Sequence, residues 1–176
     1  MNKAIFLDRD GTIIEDTGYI GDISQVEIFP FAYDALKELQ NCYLLFIVSN
    51  QSGIAKGIVT KAQVNEVNKF LLERLEENGI RIVELYYCPH KNEDQCICKK
   101  PKSYFLELAA KRYKLDLSKS WMIGDHPSDV ICATNAGAHG IYLLSGHGLK
   151  HASEISGNYP IKENLMDAAN FILSKQ

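Results

Sequence analysis

Five short β-favouring runs recur along the chain, Lys3 to Leu7, Tyr43 to Val48, Ile80 to Tyr87, Trp121 to Ile123 and Gly140 to Leu144, and segments of helical periodicity separate most of them. That alternation constrains the fold more than any other feature. Tyr33, Leu36 and Leu39 follow helical spacing, and Thr60 with Gln63 forms a capping box ahead of Val64, Val67, Leu71 and Leu75 before Gly79 ends the pattern. Ser103 is placed to cap a helix running to Tyr113, Pro127 sits in the first turn of another that Gly137 stops, and a last helix spans Glu163 to Ser174. Strands that alternate with helices over short connections imply an α/β fold: a three-layer, Rossmann-like parallel sheet with helices on both faces. No repeat, low-complexity tract or linker breaks the 176 residues, so a single domain over 1–176 is expected, with no room for a cap domain. In such sheets ligands bind outside the carboxyl ends of the strands. Three of the expected strands end at Asp8, Ser49 and Asp125, which should therefore lie close together in space.

Composition narrows the function classes. The longest uninterrupted apolar run, Cys42 to Val48, has seven residues, far below the roughly 20 of a membrane span. The first residues carry no apolar signal segment, so a cytoplasmic location is expected. A net charge of -3 with no basic block gives no footprint for nucleic acid or anionic lipid, and no element shows a surplus apolar face, so a monomer is expected.

Five cysteines make an odd count that argues against a disulfide framework. Cys88, His90, Cys96 and Cys98 fall within eleven residues and offer three thiolates and one imidazole, a full tetrahedral set for Zn²⁺. With every position filled by protein, that zinc would be structural, closing a loop over 88–98 and fixing Lys99 and Lys100 behind it. Cys42 and Cys132 lie in apolar surroundings and are expected in the core.

The segment Asp8-Arg9-Asp10-Gly11-Thr12 sets two carboxylates two residues apart directly after the first strand. Together with Ser49-Asn50-Gln51, Lys100-Pro101, and Gly124-Asp125 followed by Asp129, it resembles in order and spacing the four motifs of haloacid dehalogenase-like phosphatases, over nearly the whole chain. Within that superfamily, Ser49 to Gly57 (SNQSGIAKG) and the cysteine loop are similar to the D-glycero-D-manno-heptose 1,7-bisphosphate phosphatases and, more distantly, to the histidinol-phosphatase domain.

The resemblance implies a phosphoric monoester hydrolase acting on a small phosphorylated substrate. Asp8 would be the nucleophile that forms an aspartyl-phosphate, and Asp10 the general acid and then base. Ser49 and Lys100 would hold the phosphoryl group. Asp8, the backbone carbonyl of Asp10, and Asp125 would hold a catalytic Mg²⁺. Asp129 could ligate the ion or hydrogen-bond Lys100. Asp16, Thr17, Gly18 and Tyr19 would form the loop over the leaving group, flanked by Asn50, Gln51 and Ser52, with Lys99 and His126 as further substrate contacts. Lys99 stands where the heptose enzymes usually have arginine; it keeps the charge and loses the two-pronged grip. The five-residue gap from His90 to Cys96 matches histidinol phosphatases, whereas SNQSGIAKG points to the heptose enzyme, which is the preferred expectation because that segment would touch substrate. The loop Ser145 to His151 either lines the site or forms a mobile turn, with the turn the preferred expectation.

Overall fold

The structure is a computed structural model and describes residues 1–175. Six parallel strands, β1 (Ala4–Leu7), β2 (Leu44–Asn50), β3 (Ile82–Cys88), β4 (Trp121–Gly124), β5 (His139–Leu143) and β6 (Ile161–Lys162), form one sheet in the order β3-β2-β1-β4-β5-β6. The helices are α1 (Pro30–Gln40), α2 (Lys61–Glu77), α3 (Tyr104–Tyr113), α4 (Pro127–Ala136), the single turn α5 (Gly148–His151), and α6 (Leu165–Leu173).

Alternate strand residues feed two cores, as the period of two requires. Ile5, Leu7, Leu45, Ile47, Ile123, Ile141 and Leu143 pack with α1, α2 and α6 on one face. Ala4, Phe6, Phe46, Val48 and Met122 pack with α3 and α4 on the other. The expected three layers are present, and among the described residues no segment forms a cap domain. No helix among them is long and apolar enough to cross a membrane.

Local rules explain most boundaries. The Thr60 hydroxyl accepts from the Gln63 N–H at 3.2 Å while Gln63 Oε1 accepts from the Thr60 N–H at 2.8 Å, the reciprocal pair that opens α2. Gly137 ends α4 at φ 73°, a left-handed conformation that favours glycine. Ser103 occupies the cap position of α3, but its hydroxyl reaches Glu107 instead of a free backbone N–H. Cys42 is a correction: it is exposed in the turn between α1 and β2, because that strand begins at Leu44. Cys132 is buried in α4. The two-residue β6 carries too short a pattern to be read from sequence.

The chain winds outward from β1 to β3, then crosses back to place β4 on the other side of β1. Connections leaving β1 and β4 diverge there and open a crevice. Leu7 pairs with Ile123 in register, and the Asp8 N–H donates to the Ile123 carbonyl at 2.9 Å, so both strands deliver their next residues to the same edge.

Candidate active site

Asp8 leaves β1 beside Asp125, which follows β4, and Asp129 turns in from the first turn of α4; carboxylate oxygens of the three lie within 4.8 Å of one another. Lys100 Nζ enters this group, 2.9 Å from Asp8 Oδ1 and 2.6 Å from Asp129 Oδ1, and donates to the Val48 carbonyl at 2.7 Å. Asp129 Oδ2 accepts the His126 N–H at 3.0 Å. Three carboxylates against one ammonium leave a net negative centre. Burial, with the charge of Asp129 added, raises Asp8 to about 6 even against the pull of Lys100. Burial and the charges of Asp8 and Asp129 raise Asp125 to about 8. Burial pulls the pKa of Lys100 down, but Asp129 and Asp8 outweigh it and hold the ammonium charged.

Close backbone approach makes the cluster possible. A Cβ on Gly11 would collide with the Asp125 carboxylate, and one on Gly124 would collide with that of Asp129. Gly124→Ala is therefore expected to push Asp129 off Lys100 and to lower kcat at least about tenfold in steady-state assays; an unchanged kcat would show that the contact is slack.

Asp10 faces a different set of partners. Its carboxylate takes a fork from Arg9, with Nη2 at 2.9 Å from Oδ1, and accepts from Gln51 Nε2 at 2.8 Å on Oδ2. Gln51 Nε2 also donates to Ser49 Oγ at 2.7 Å, and Ser49 Oγ lies 3.5 Å from Asp10 Oδ2.

Of the residues expected at the site, Asp8, Asp10, Asp16, Gly18, Tyr19, Asn50, Gln51, Lys99, Lys100, Asp125 and His126 line one cavity of about 670 Å³. Ser49 is buried beneath it, and Thr17 and Ser52 do not line it. Asn92, Pro101 and Ser128, which the sequence does not single out as site residues, also line it, as does His147. For the Ser145 to His151 loop, His147 favours the site-lining alternative over the mobile turn. Its N–H donates to Asp125 Oδ2 at 2.8 Å, its Nδ1 lies 3.2 Å from Asp16 Oδ2, and Ser145 Oγ donates to the Gly11 carbonyl at 2.7 Å. The loop braces a carboxylate of the cluster, and its only advance signal was its glycine and histidine content. A second cavity of about 780 Å³ opens at the other end of the sheet around Lys3, Tyr43, Trp121 and His139, and holds none of these carboxylates.

The cysteine loop stands directly behind Lys99. Cys88 Sγ lies 3.5 Å from His90 Nδ1 and 3.6 Å from Cys96 Sγ, while Cys98 Sγ lies 3.5 Å from the same Nδ1 and 3.9 Å from Cys96 Sγ. A tetrahedral ion with bonds of about 2.3 Å to sulfur and about 2.05 Å to nitrogen separates its ligands by about 3.8 Å and about 3.6 Å respectively. The four side chains match those edges. The loop is also sewn to the active-site segment: the Gln51 N–H donates to the Cys88 carbonyl at 2.7 Å, and the Lys100 N–H to Asn50 Oδ1 at 3.0 Å.

Comparison with known proteins agrees with this geometry. A family model described as HAD-hydrolase-like matches residues 97–168. D-glycero-beta-D-manno-heptose-1,7-bisphosphate 7-phosphatase of Haemophilus influenzae is 41% identical over 137 residues, covering 74% of each chain. The enzyme of the same name from Pasteurella multocida is 35% identical, covering 98% of this chain and 92% of its own. The chain belongs to the haloacid dehalogenase-like D-glycero-D-manno-heptose 1,7-bisphosphate phosphatase family. A solved family structure, D,D-heptose 1,7-bisphosphate phosphatase from B. bronchiseptica complexed with magnesium and phosphate, superposes with a TM-score of 0.91 at 26% identity and 99% coverage of both chains. Family membership accounts for the capless sheet and for the four motifs meeting at one crevice.

Proposed function

We propose that this chain is a magnesium-dependent phosphatase that removes the C7 phosphate of D-glycero-D-manno-heptose 1,7-bisphosphate, leaving the 1-phosphate, through a phosphorylated Asp8. One observation carries the reading: Lys100 is held at once by Asp8, Asp129 and the Val48 carbonyl, a buried ammonium aimed at a carboxylate at the β1/β4 crevice.

In the first step a carboxylate oxygen of Asp8 attacks phosphorus, the bond to the sugar oxygen breaks, and Asp10 gives that oxygen its proton. Water then attacks phosphorus, loses a proton to Asp10, and the bond to Asp8 breaks, which releases phosphate and restores Asp8 as the carboxylate and Asp10 as the acid. Lys100 and the Ser49 hydroxyl hold the phosphoryl oxygens. Asp8, Asp125 and the Asp10 carbonyl would hold Mg²⁺, which supplies the countercharge that lets an anionic nucleophile approach an anionic ester. The net negative, buried carboxylate set suits a hard divalent cation. Asp129, engaged on one oxygen by Lys100 and on the other by the His126 N–H, serves as the partner of Lys100. Asp16 to Tyr19, Asn50 to Ser52, Lys99 and His126 would meet the leaving sugar, and polar groups suit a polyol. Zn²⁺ on Cys88, His90, Cys96 and Cys98 would hold the loop that presents Lys99 and Lys100. Slight burial opposes ionisation of Cys96, but the N–H groups of Cys98 and Lys99 turned onto its sulfur bring the thiol down to about 7, close to the thiolate a metal needs.

The short gap from His90 to Cys96 supports histidinol phosphate as the competing substrate. Steady-state kinetics with Mg²⁺ on both compounds decides between them. A kcat/KM at least about 100-fold higher for the heptose bisphosphate is expected, a discrimination that several hydrogen-bonded hydroxyls can supply; equal or higher specificity for histidinol phosphate sinks the heptose assignment.

A further inference from the structure

Arg9 sits between the two motif carboxylates with a side chain that is fully buried. A buried guanidinium is costly unless its donors are satisfied. Here they are spent on two groups. Nε lies 3.2 Å from Asp10 Oδ1 and 3.1 Å from Oδ2, Nη2 lies 2.9 Å from Oδ1, and Nη1 donates to Asn68 Oδ1 at 2.7 Å. Asn68 is itself anomalous. It is buried on the face of α2 that otherwise presents Val64, Val67, Leu71 and Leu75 to the core, where helical periodicity asks for an apolar residue. Its acceptor meets Arg9 across 59 positions of sequence.

We propose that Arg9 and Asn68 are positioning residues for Asp10: α2 anchors the guanidinium through Asn68, and the guanidinium plane fixes the orientation of the Asp10 carboxylate. The inference rests on the phosphatase reading above. Asp10 projects from a tight loop and must meet the leaving oxygen in one step and a water in the next, so its aim matters twice. Gln51 steadies Oδ2 from the cavity side. The Arg9 fork holds the carboxylate from behind, and only a planar, two-pronged donor can set its plane. Asn68 ties that fork to a 17-residue helix instead of to the loop itself.

The test uses the full chain with Mg²⁺. Asn68→Leu keeps volume and removes the acceptor. It is expected to lower kcat on a sugar phosphate about tenfold to 100-fold with KM within about twofold, because a misplacement of about 1 Å costs that much. With p-nitrophenyl phosphate, whose leaving group does without an acid, the acid-quenched phosphoenzyme should rise above the wild-type fraction, since phosphorylated Asp8 still waits for its base. Loss of stability alone would not build up phosphoenzyme. Asn68→Asp restores an acceptor and should return kcat to within about threefold of wild type. Arg9→Lys, which keeps the buried charge and loses the fork, should reproduce both defects and serves if Asn68→Leu does not fold. An unchanged kcat, a fall without phosphoenzyme, or no recovery in Asn68→Asp overturns the assignment. Asp8→Asn forms no phosphoenzyme if the phosphatase reading holds; turnover by that variant would overturn the reading itself, a separate outcome.

Discussion

Asp8→Asn is expected to abolish phosphate release, lowering kcat by at least about 10⁴-fold on any phosphomonoester, while raising the melting temperature of the metal-free protein by a few degrees. The catalytic loss follows because the amide cannot form the acyl-phosphate bond, and Asp10, with no ester to hydrolyse, has nothing to act upon. The gain in stability follows from charge. Asp8 is raised to about 6 by burial and by Asp129, so above that pH its ionised form is penalised in the folded state relative to the unfolded chain. The sign is that of a raised carboxylate: its contribution favours folding at low pH and is lost as pH rises through about 6. Asparagine removes the penalty at neutral pH and leaves Lys100 paired with Asp129. A phosphate-release assay and a thermal melt near pH 7.5 check the two halves. Residual turnover near wild type would discard the nucleophile assignment, and an unchanged or lower melting temperature would discard the electrostatic one.

If the cysteine loop holds zinc as proposed, removing one of its ligands should have the next largest effect. Structural zinc contributes of order 10 kcal/mol of apparent binding free energy, comparable to the whole stability of an ordinary domain. Cys96→Ser removes one ligand from a four-ligand set and is expected to release about one equivalent of zinc, to lower the melting temperature by about 10 °C or more, and to cut activity through the displaced Lys99 and Lys100. The route to activity is physical: the loop is tied to the catalytic segment through the Gln51 to Cys88 and Lys100 to Asn50 hydrogen bonds. Elemental analysis of the wild-type protein and melts of both proteins test this. A wild-type protein free of zinc and as stable as the variant would end the zinc reading.

Asp8 and Cys96 are both legible in the sequence, and the reason is local. Asp8 and Asp10 follow an apolar run directly, the four metal-type side chains are neighbours in sequence, and the Thr60 and Gln63 capping box is a four-residue rule. Locality ends where contacts cross long stretches of sequence. Cys42 opens an apolar run that predicts a core position, yet the strand starts two residues later and leaves it in the turn. Nothing within the Ser145 to His151 loop shows that Gly11 and Asp125 lie against it, so its sequence alone does not choose between a turn and a wall of the site. Asn68 carries no local signal of its role, since its partner is 59 residues away.

What the sequence by itself determined is therefore the kind of fold and the kinds of chemical group, because hydrophobic period, caps and motif spacing act over a few residues. Only the tertiary structure decided how those groups are charged and aimed. Strand order brought Asp8, Asp125 and Asp129 into one buried cluster, a return crossing set Lys100 among them, and α2 reached under the loop to hold Arg9. Burial and distance exist only once the sheet has formed, and they separate a buried, clustered carboxylate from one that merely faces water.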